Sequence, residues 1–349
     1  MAATNDLVLD NTIIHTINLM RFEAGERKKI VRLLRDLNTE LSGILAQDDL
    51  TKFSKRRLQA LERFSNALID TTYREISDEM ERDLQGVASA EGRAAVRGIN
   101  SSVGVDLATV YVAPSTLKAL AGNTLIEGAP SSAWWARQIP TVQRRFMDTV
   151  RMGILQGMPT PAIVRMVREQ VFPWKRRNAE AIVRTSVQAV ANNVRMETYK
   201  FNSSVVKGVR AVVTLDTRTS RLCMSRSGNA WDLDGKPIKG TDTKIPFPGP
   251  PPWHWNCRTT LTGVLKSWDE LGSSKKIKEI SRSTRASMDG QVPADLNYEE
   301  WLRIKDKAEP GFAREVLGPG RYTLWKKGDL SLRDLVDQTG RELRLDELA

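Results

Sequence analysis

The first hundred residues carry apolar side chains at helical spacing, and this pattern leaves little choice of local structure. Two sets recur every three or four positions: Ile30, Leu34, Leu37, Leu41 and Ile44, then Ile69, Tyr73, Ile76, Met80, Leu84 and Val87. Such spacing places each set on one face of an α-helix, and charged residues fill the other faces. Residues 47–51 predict a turn with an N-cap starting the second helix. Residues 1–98 are therefore predicted to form a helical arm. It would be either a solvated antiparallel hairpin or a pair of helices that packs on a partner.

The next segment differs in composition. Residues 99–139 are rich in small and β-branched side chains, and Gly122, Gly128 and Pro130 interrupt any helical pattern. We expect an irregular connector here, with a short strand near residues 110–112.

Helical spacing resumes at residue 140. One helix should end at Gly157 and Pro159, a second should begin at Thr160-Pro161, and Pro173 should stop it before a third over residues 178–199. Alternating apolar residues over 209–215 predict a strand, and residues 258–264 predict a returning strand. Residues 140–265 are thus expected to be a small α+β domain, and residues 266–349 a tail of short helices that includes a capping box at Ser331 and Asp334. The predicted fold class is α+β and predominantly helical.

Charge and cysteine usage exclude several classes of protein. The formal net charge is +11, and counting along the chain places all of the excess between residues 101 and 264. Such a surplus favours an anionic partner such as nucleic acid. Two cysteines exclude a disulfide-stapled secreted scaffold, and no apolar run is long enough to span a membrane. The N-terminus does not resemble a signal peptide, so we expect cytosolic synthesis and reduced thiols.

Both cysteines and one of the two histidines fall in one loop-rich stretch. His254 and Cys257 have the spacing H-x₂-C, and Cys223 comes from the loop after the preceding strand. These three side chains could hold Zn²⁺, with Asp216 or a nearby acid as the fourth ligand. Two other interpretations stay open: the cysteines pack in the core while His254 fixes the loop by hydrogen bonds, or the cysteines form a disulfide.

The same cluster raises the alternative of a metal-dependent enzyme, either nuclease-like or using a Cys–His pair. A nuclease of that type needs more than one histidine in its site. The sequence also has no Gly-rich phosphate loop, no G-x-S-x-G and no H-E-x-x-H motif. We therefore do not expect an enzyme.

The order of motifs in this region is similar to that of a known family. The matching segments are Ala179–Thr185, Asn192–Arg195, Asp216-x-Arg218-Thr219-Ser220-x-x-Cys223, and Pro251-Pro252-x-His254-x-Asn256-Cys257-Arg258. Together they resemble the Mu F-like phage head morphogenesis domain, the family that includes the SPP1 minor head protein. The resemblance covers about residues 140–265. It marks Asp216, Arg218, Thr219, Asn256 and Arg258 as structural motif residues.

The resemblance implies a minor structural protein of a tailed-phage virion. Such a protein would be made in the host bacterial cytoplasm and would lie inside the head near the portal. It would act in head assembly, DNA packaging or DNA ejection, with portal, capsid and scaffold proteins as partners. Packaged double-stranded DNA would be met through non-specific phosphate contacts. The basic candidates for these contacts are Arg144, Arg145, Arg151, Arg165, Arg168, Lys175, Arg176 and Arg177. The densest group, residues 174–177, is equally consistent with a solvated helix start.

Overall fold

The computed structural model describes residues 2–47, 50, 54–103, 109–241, 243, 245–267, 269–271, 284–337 and 339–348. It is predominantly helical with small antiparallel sheets, which confirms the predicted fold class. The chain divides into two compact units. One contains residues 1–18, 88–117 and 191–349, and the other contains residues 19–87 and 118–190.

The first hundred residues form two long helices, α1 (Ala2–Gln47) and α2 (Lys55–Val103). The apolar side chains of both predicted stripes are buried, except that Ile44 is half-buried. Lys29 of α1 lies 3.2 Å from Asp83 of α2, as an antiparallel hairpin requires. Ser54 caps the start of α2 by accepting a hydrogen bond from the Arg57 N–H. Most of the predicted turn, residues 48, 49 and 51, lies outside the described residues.

The prediction of an irregular connector over residues 99–139 is wrong for most of its length. Helix α2 continues to residue 103, α3 follows at Pro114–Asn123, and β1 (Leu125–Ile126) pairs with β2 (Ala129–Pro130) in a tight hairpin. Residues 110–112, expected as a strand, have no regular structure. Gly122, Gly128 and Pro130 suggested an irregular segment, but they lie at helix ends and in the hairpin turn. Gly128 in that turn has a φ of 81°.

Three further helices lead to the sheet: α4 (Ser131–Leu155), α5 (Thr160–Gln170) and α6 (Phe172–Phe201). Gly157 has a φ of 66° just beyond α4, and Pro159 precedes α5, as predicted. Pro173, however, lies in the first turn of α6 rather than ending α5. A proline costs little there because the N–H groups of a first helical turn have no partner within the helix.

The domain's sheet has the order β4-β3-β5, with all pairs antiparallel. It consists of β3 (Val206–Val212), β4 (Ala230–Asp232) and β5 (Thr260–Leu265). The two predicted strands exist, but β3 begins and ends about three residues earlier than expected. Strand β4 was missed because its three residues are too short to show an alternating pattern.

The tail packs as short elements around aromatic side chains. A hairpin of β6 (Thr284–Ser287) and β7 (Gly290–Pro293) precedes α8 (Tyr298–Ala308), α9 (Phe312–Leu317) and α10 (Pro319–Lys327). Two 3₁₀ turns follow at Leu332–Leu335 and Leu345–Glu347. The capping box of Ser331 with Asp334 is present as predicted. Within the described residues, no helix combines the length and the apolar character that crossing a bilayer requires.

Candidate functional site

The cysteine and histidine side chains are presented by two loops next to the sheet. The first loop leaves β3 and enters α7 (Arg221–Arg226), whose N-cap is Ser220. The Ser220 hydroxyl accepts a hydrogen bond from the Cys223 N–H at 3.2 Å, so it fixes the first turn of the helix. This turn places Cys223 in the interior, where its side chain is buried.

The second loop precedes β5 and carries the H-x₂-C pair. The Cys257 N–H donates to the His254 carbonyl at 3.1 Å, and Asn256 adopts a left-handed φ of 62° to close this turn. Asparagine tolerates that conformation better than most residues because its short polar side chain makes local hydrogen bonds. The turn therefore brings the side chains of His254 and Cys257 to the same point.

The three side chains converge. The Cys223 Sγ lies 3.1 Å from the His254 Nε2 and 3.6 Å from the Cys257 Sγ, and all three ligand atoms lie within 4.8 Å of one another. The hydrogen bond between the thiols lowers the pKa of Cys257 well below its ordinary value and raises the pKa of Cys223. The two buried thiols thus share one hydrogen bond and affect each other's protonation.

Asp216, expected as a fourth ligand, is not part of this cluster. Its carboxylate accepts two hydrogen bonds from the Arg258 guanidinium, at 2.6 and 2.7 Å. Burial alone would raise the pKa of Asp216, but the hydrogen bonds and charge of Arg258 outweigh it and lower the pKa. A carboxylate held in this way is committed to joining the two loops, since Asp216 lies on the first and Arg258 follows the second.

The other motif residues complete this connection. The Thr219 hydroxyl donates to the Thr214 carbonyl at 2.6 Å and lies 3.2 Å from the Asp216 carboxylate. The Arg218 N–H also donates to that carboxylate, at 3.1 Å, and the exposed Arg218 guanidinium lies 3.4 Å from it. From the tail, the Tyr298 hydroxyl donates to the Asp216 carbonyl at 2.9 Å. Asp216, Thr219 and Tyr298 therefore hold the first loop in a fixed conformation, and Arg258 joins it to the second.

The eight candidate DNA-contact residues differ in burial and in their contacts. Lys175 is buried and is not available to a phosphate, so that candidate is wrong for this conformation. Burial lowers its pKa to about 8, and its ammonium has no hydrogen-bond partner among the described residues. The seven arginines are exposed, but three of them contact other side chains: Arg151 with Glu62, Arg168 with Ser42, and Arg176 with Glu180. Arg144, Arg165 and Arg177 take part in no ion pair with any described residue.

A buried polar network on α6 was missed by the sequence reasoning. Arg195 donates to the Glu91 carboxylate at 2.7 Å and to the Leu261 carbonyl of β5 at 2.9 Å. Asn192 donates to the Thr259 carbonyl at 3.2 Å. Burial would raise the pKa of Glu91, but Arg195 and the nearby His15 lower it. The sequence did contain a sign of this network, because helical spacing places the polar residues Asn192 and Arg195 on the buried face of α6.

A comparison with family models gives one match, to the family described as Phage Mu protein F like protein, over residues 144–262. The match covers about a third of the chain. Comparisons with the curated proteins and with the solved structures find no match. The matched segment contains the cysteine–histidine cluster and the Asp216–Arg258 pair. The family points to phage head morphogenesis and hence to a place in the virion. Residues 144–262 are therefore a domain of the Mu F-like phage head family.

Proposed function

We propose that the protein is a minor structural component of a tailed-phage head, docked at the portal vertex and facing the packaged DNA. It would act in head assembly, DNA packaging or DNA ejection, with portal, capsid and scaffold proteins as its partners. The observation that carries this proposal is the family match over residues 144–262. The paired Asp216 and Arg258 and the buried cysteines support a structural role for that domain.

Non-specific DNA contact is the part of the proposal that the charges support. The net charge of +11 arises between residues 101 and 264, and the structure leaves Arg144, Arg165 and Arg177 exposed in α4, α5 and α6. An arginine that is already exposed and unpaired can approach a phosphate without first breaking an internal ion pair. Contacts of this kind read no base sequence, and they release counterions, so they weaken as salt rises.

A gel-retardation titration with any duplex tests this part. Each phosphate contact contributes about 0.9 to the slope of log affinity against log salt. Replacing Arg144, Arg165 and Arg177 together by Glu should therefore weaken binding. The affinity should also depend less steeply on salt, with the magnitude of the slope reduced by up to about 2.7. The matched control changes the same amount of charge on the tail, with Lys307→Glu, Arg314→Glu and Lys327→Glu, at three exposed positions. Equal loss of affinity in both variants, or retardation insensitive to salt, would contradict DNA contact through α4–α6.

Docking at the portal is tested separately. The full chain should co-purify with the portal protein of the same phage and be lost from heads assembled without a portal. Recovery from portal-free heads at the same copy number would contradict portal docking and leave head association intact.

The competing hypothesis is an enzyme that uses Cys223, His254 and Cys257. The structure offers such a reaction little space. Both thiols are buried, and the cavity lined by Cys223 and His254 has a volume of about 10 Å³, about the size of one water molecule. We infer that the cluster is structural. Nuclease activity that is lost in a folded His254→Ala or Cys223→Ser variant would overturn this inference.

A further inference from the structure

We propose that Cys223, His254 and Cys257 bind one Zn²⁺ ion that ties together the two loops beside the sheet. Two sulfur atoms and one imidazole nitrogen are the donor set that structural zinc sites use. They come from separate loops, 34 positions apart for the two cysteines, and their ligand atoms converge within 4.8 Å. Among the described residues, no other group of three such side chains converges in this way.

The distances between the donor atoms fit a tetrahedral ion. With Zn–S bonds of about 2.3 Å and a Zn–N bond of about 2.0–2.1 Å, two sulfur ligands stand roughly 3.8 Å apart and sulfur and nitrogen roughly 3.5 Å apart. The observed separations are 3.6 Å between the Cys223 and Cys257 Sγ atoms and 3.1 Å between the Cys223 Sγ and the His254 Nε2. These two separations need to grow by only a few tenths of an ångström to accept the ion, and the third, between the Cys257 Sγ and the His254 ring nitrogen, is no more than 4.8 Å.

The histidine is oriented for coordination. The His254 Nδ1 lies 2.8 Å from the Trp255 carbonyl oxygen, and a carbonyl can only accept, so Nδ1 carries the proton. The lone pair of Nε2 is then free to accept, and Nε2 lies 3.1 Å from the Cys223 Sγ and 2.9 Å from the Ser220 hydroxyl. Zinc-binding histidines usually have such a partner on the second ring nitrogen, because it fixes both the tautomer and the ring orientation.

The fourth position is available to a small ligand. The Ser220 hydroxyl lies 2.9 Å from the His254 Nε2, and the adjoining cavity of about 10 Å³ is about the size of one water molecule. Asp216 does not serve, because Arg258 holds both of its carboxylate oxygens. Two thiolates and a neutral imidazole balance the charge of Zn²⁺, so the loaded site would bury no net charge.

The position of the cluster suggests what the ion does. Cys223 and Cys257 belong to the same apolar core as Tyr298, Trp301 and Leu317 of the tail. An ion at this point would hold the loop after β3, the loop before β5 and the core beneath the tail in one arrangement. Because an unfolded chain offers no preformed site, the binding free energy would stabilise the folded state.

The test uses the full chain, purified with reduced thiols and treated with a chelator, and cobalt(II) as a spectroscopic probe. One cobalt ion should bind per chain, with the intense visible bands of a tetrahedral site and a thiolate-to-cobalt band in the near ultraviolet. Zinc should displace the cobalt and raise the melting temperature. In Cys257→Ser and His254→Gln, metal affinity should fall by at least the roughly 10–100-fold that loss of an outer-shell partner costs. The control is His15→Gln, which removes the other histidine and should leave binding unchanged.

Two results would overturn the site. The first is a folded wild-type chain with both thiols reduced that binds neither cobalt nor zinc at one ion per chain. The second is binding that is equally tight in wild type, Cys257→Ser and His254→Gln, which would identify adventitious metal. If the variants fail to fold, the stoichiometry and spectrum of the wild-type chain decide the question. A failure of the metal site leaves the virion assignment standing, since the two rest on different observations.

Discussion

Replacing Asp216 by alanine should destabilise the Mu F-like domain by about 3 kcal/mol. The carboxylate accepts two hydrogen bonds from Arg258 and one from the Arg218 N–H, and hydrogen bonds to charged groups contribute about 1.5–3 kcal/mol each. The Asp216 and Arg258 side chains are 15% and 19% exposed, so the loss should lie at the low end of the roughly 3–5 kcal/mol for breaking a buried pair. At about 2–4 °C per kcal/mol, the melting temperature should fall by roughly 6–12 °C.

Thermal unfolding followed by circular dichroism measures this shift. Arg218→Ala is the control, because its side chain is 79% exposed and contacts the Asp216 carboxylate only at 3.4 Å, so its loss should change stability by less than about 1 kcal/mol. A double-mutant cycle with Arg258→Ala should give a coupling energy of at least about 1 kcal/mol. The folded pKa of Asp216 is lowered, so its contribution is complete above the ordinary pKa of 3.8 and is lost as pH falls through the folded pKa. If Asp216→Ala and Arg218→Ala have the same melting temperature, the Asp216–Arg258 pair does not stabilise the fold.

Three further changes should follow from buried groups. Lys175→Met should stabilise the protein near pH 7, and between pH 8 and 10.5 wild-type stability should rise relative to that of the variant, as measured by urea unfolding across that range. Glu91→Gln should lower the free energy of unfolding by about 3–5 kcal/mol, because Arg195 loses its charged partner. The variant should also lose less stability than wild type as the pH falls below 4.5, and an equal loss in both proteins would contradict this. Gly208→Ala should lower the melting temperature sharply, because the added Cβ would overlap the Trp231 carbonyl, whereas Gly240→Ser meets no neighbour and should cost only backbone strain.

The long helices were the most predictable feature of this chain. The stripes through residues 30–44 and 69–87 are long enough for the helical period to dominate, and their side chains are buried as expected. Proline and glycine were harder to interpret, because the same residue starts a helix in one context and ends it in another. Pro173 lies in the first turn of α6, and Pro140 lies inside α4, where helical packing overrides the missing N–H.

The candidate site was predictable in composition but not in its pairings. The sequence placed Cys223, His254 and Cys257 in one region, because the cysteines and histidines are few and loop residues surround them. The sequence could not show that the Asp216 carboxylate pairs with Arg258 rather than with a metal ion, because a carboxylate binds both. Nor could it show that Lys175 is buried while Arg177, two positions on, is exposed. Burial at a helix start depends on which turn packs inward, and charge clustering carries no such information.

Quantitative mass spectrometry of gradient-purified phage particles tests the proposed place in the virion most directly. Peptides from residues 144–262 should be present in full heads, at a few copies per particle and in a fixed ratio to the portal protein. Comparison of full and emptied particles would also show whether the protein leaves with the DNA. A chain that is produced in infected cells but absent from purified heads would contradict its assignment as a virion protein.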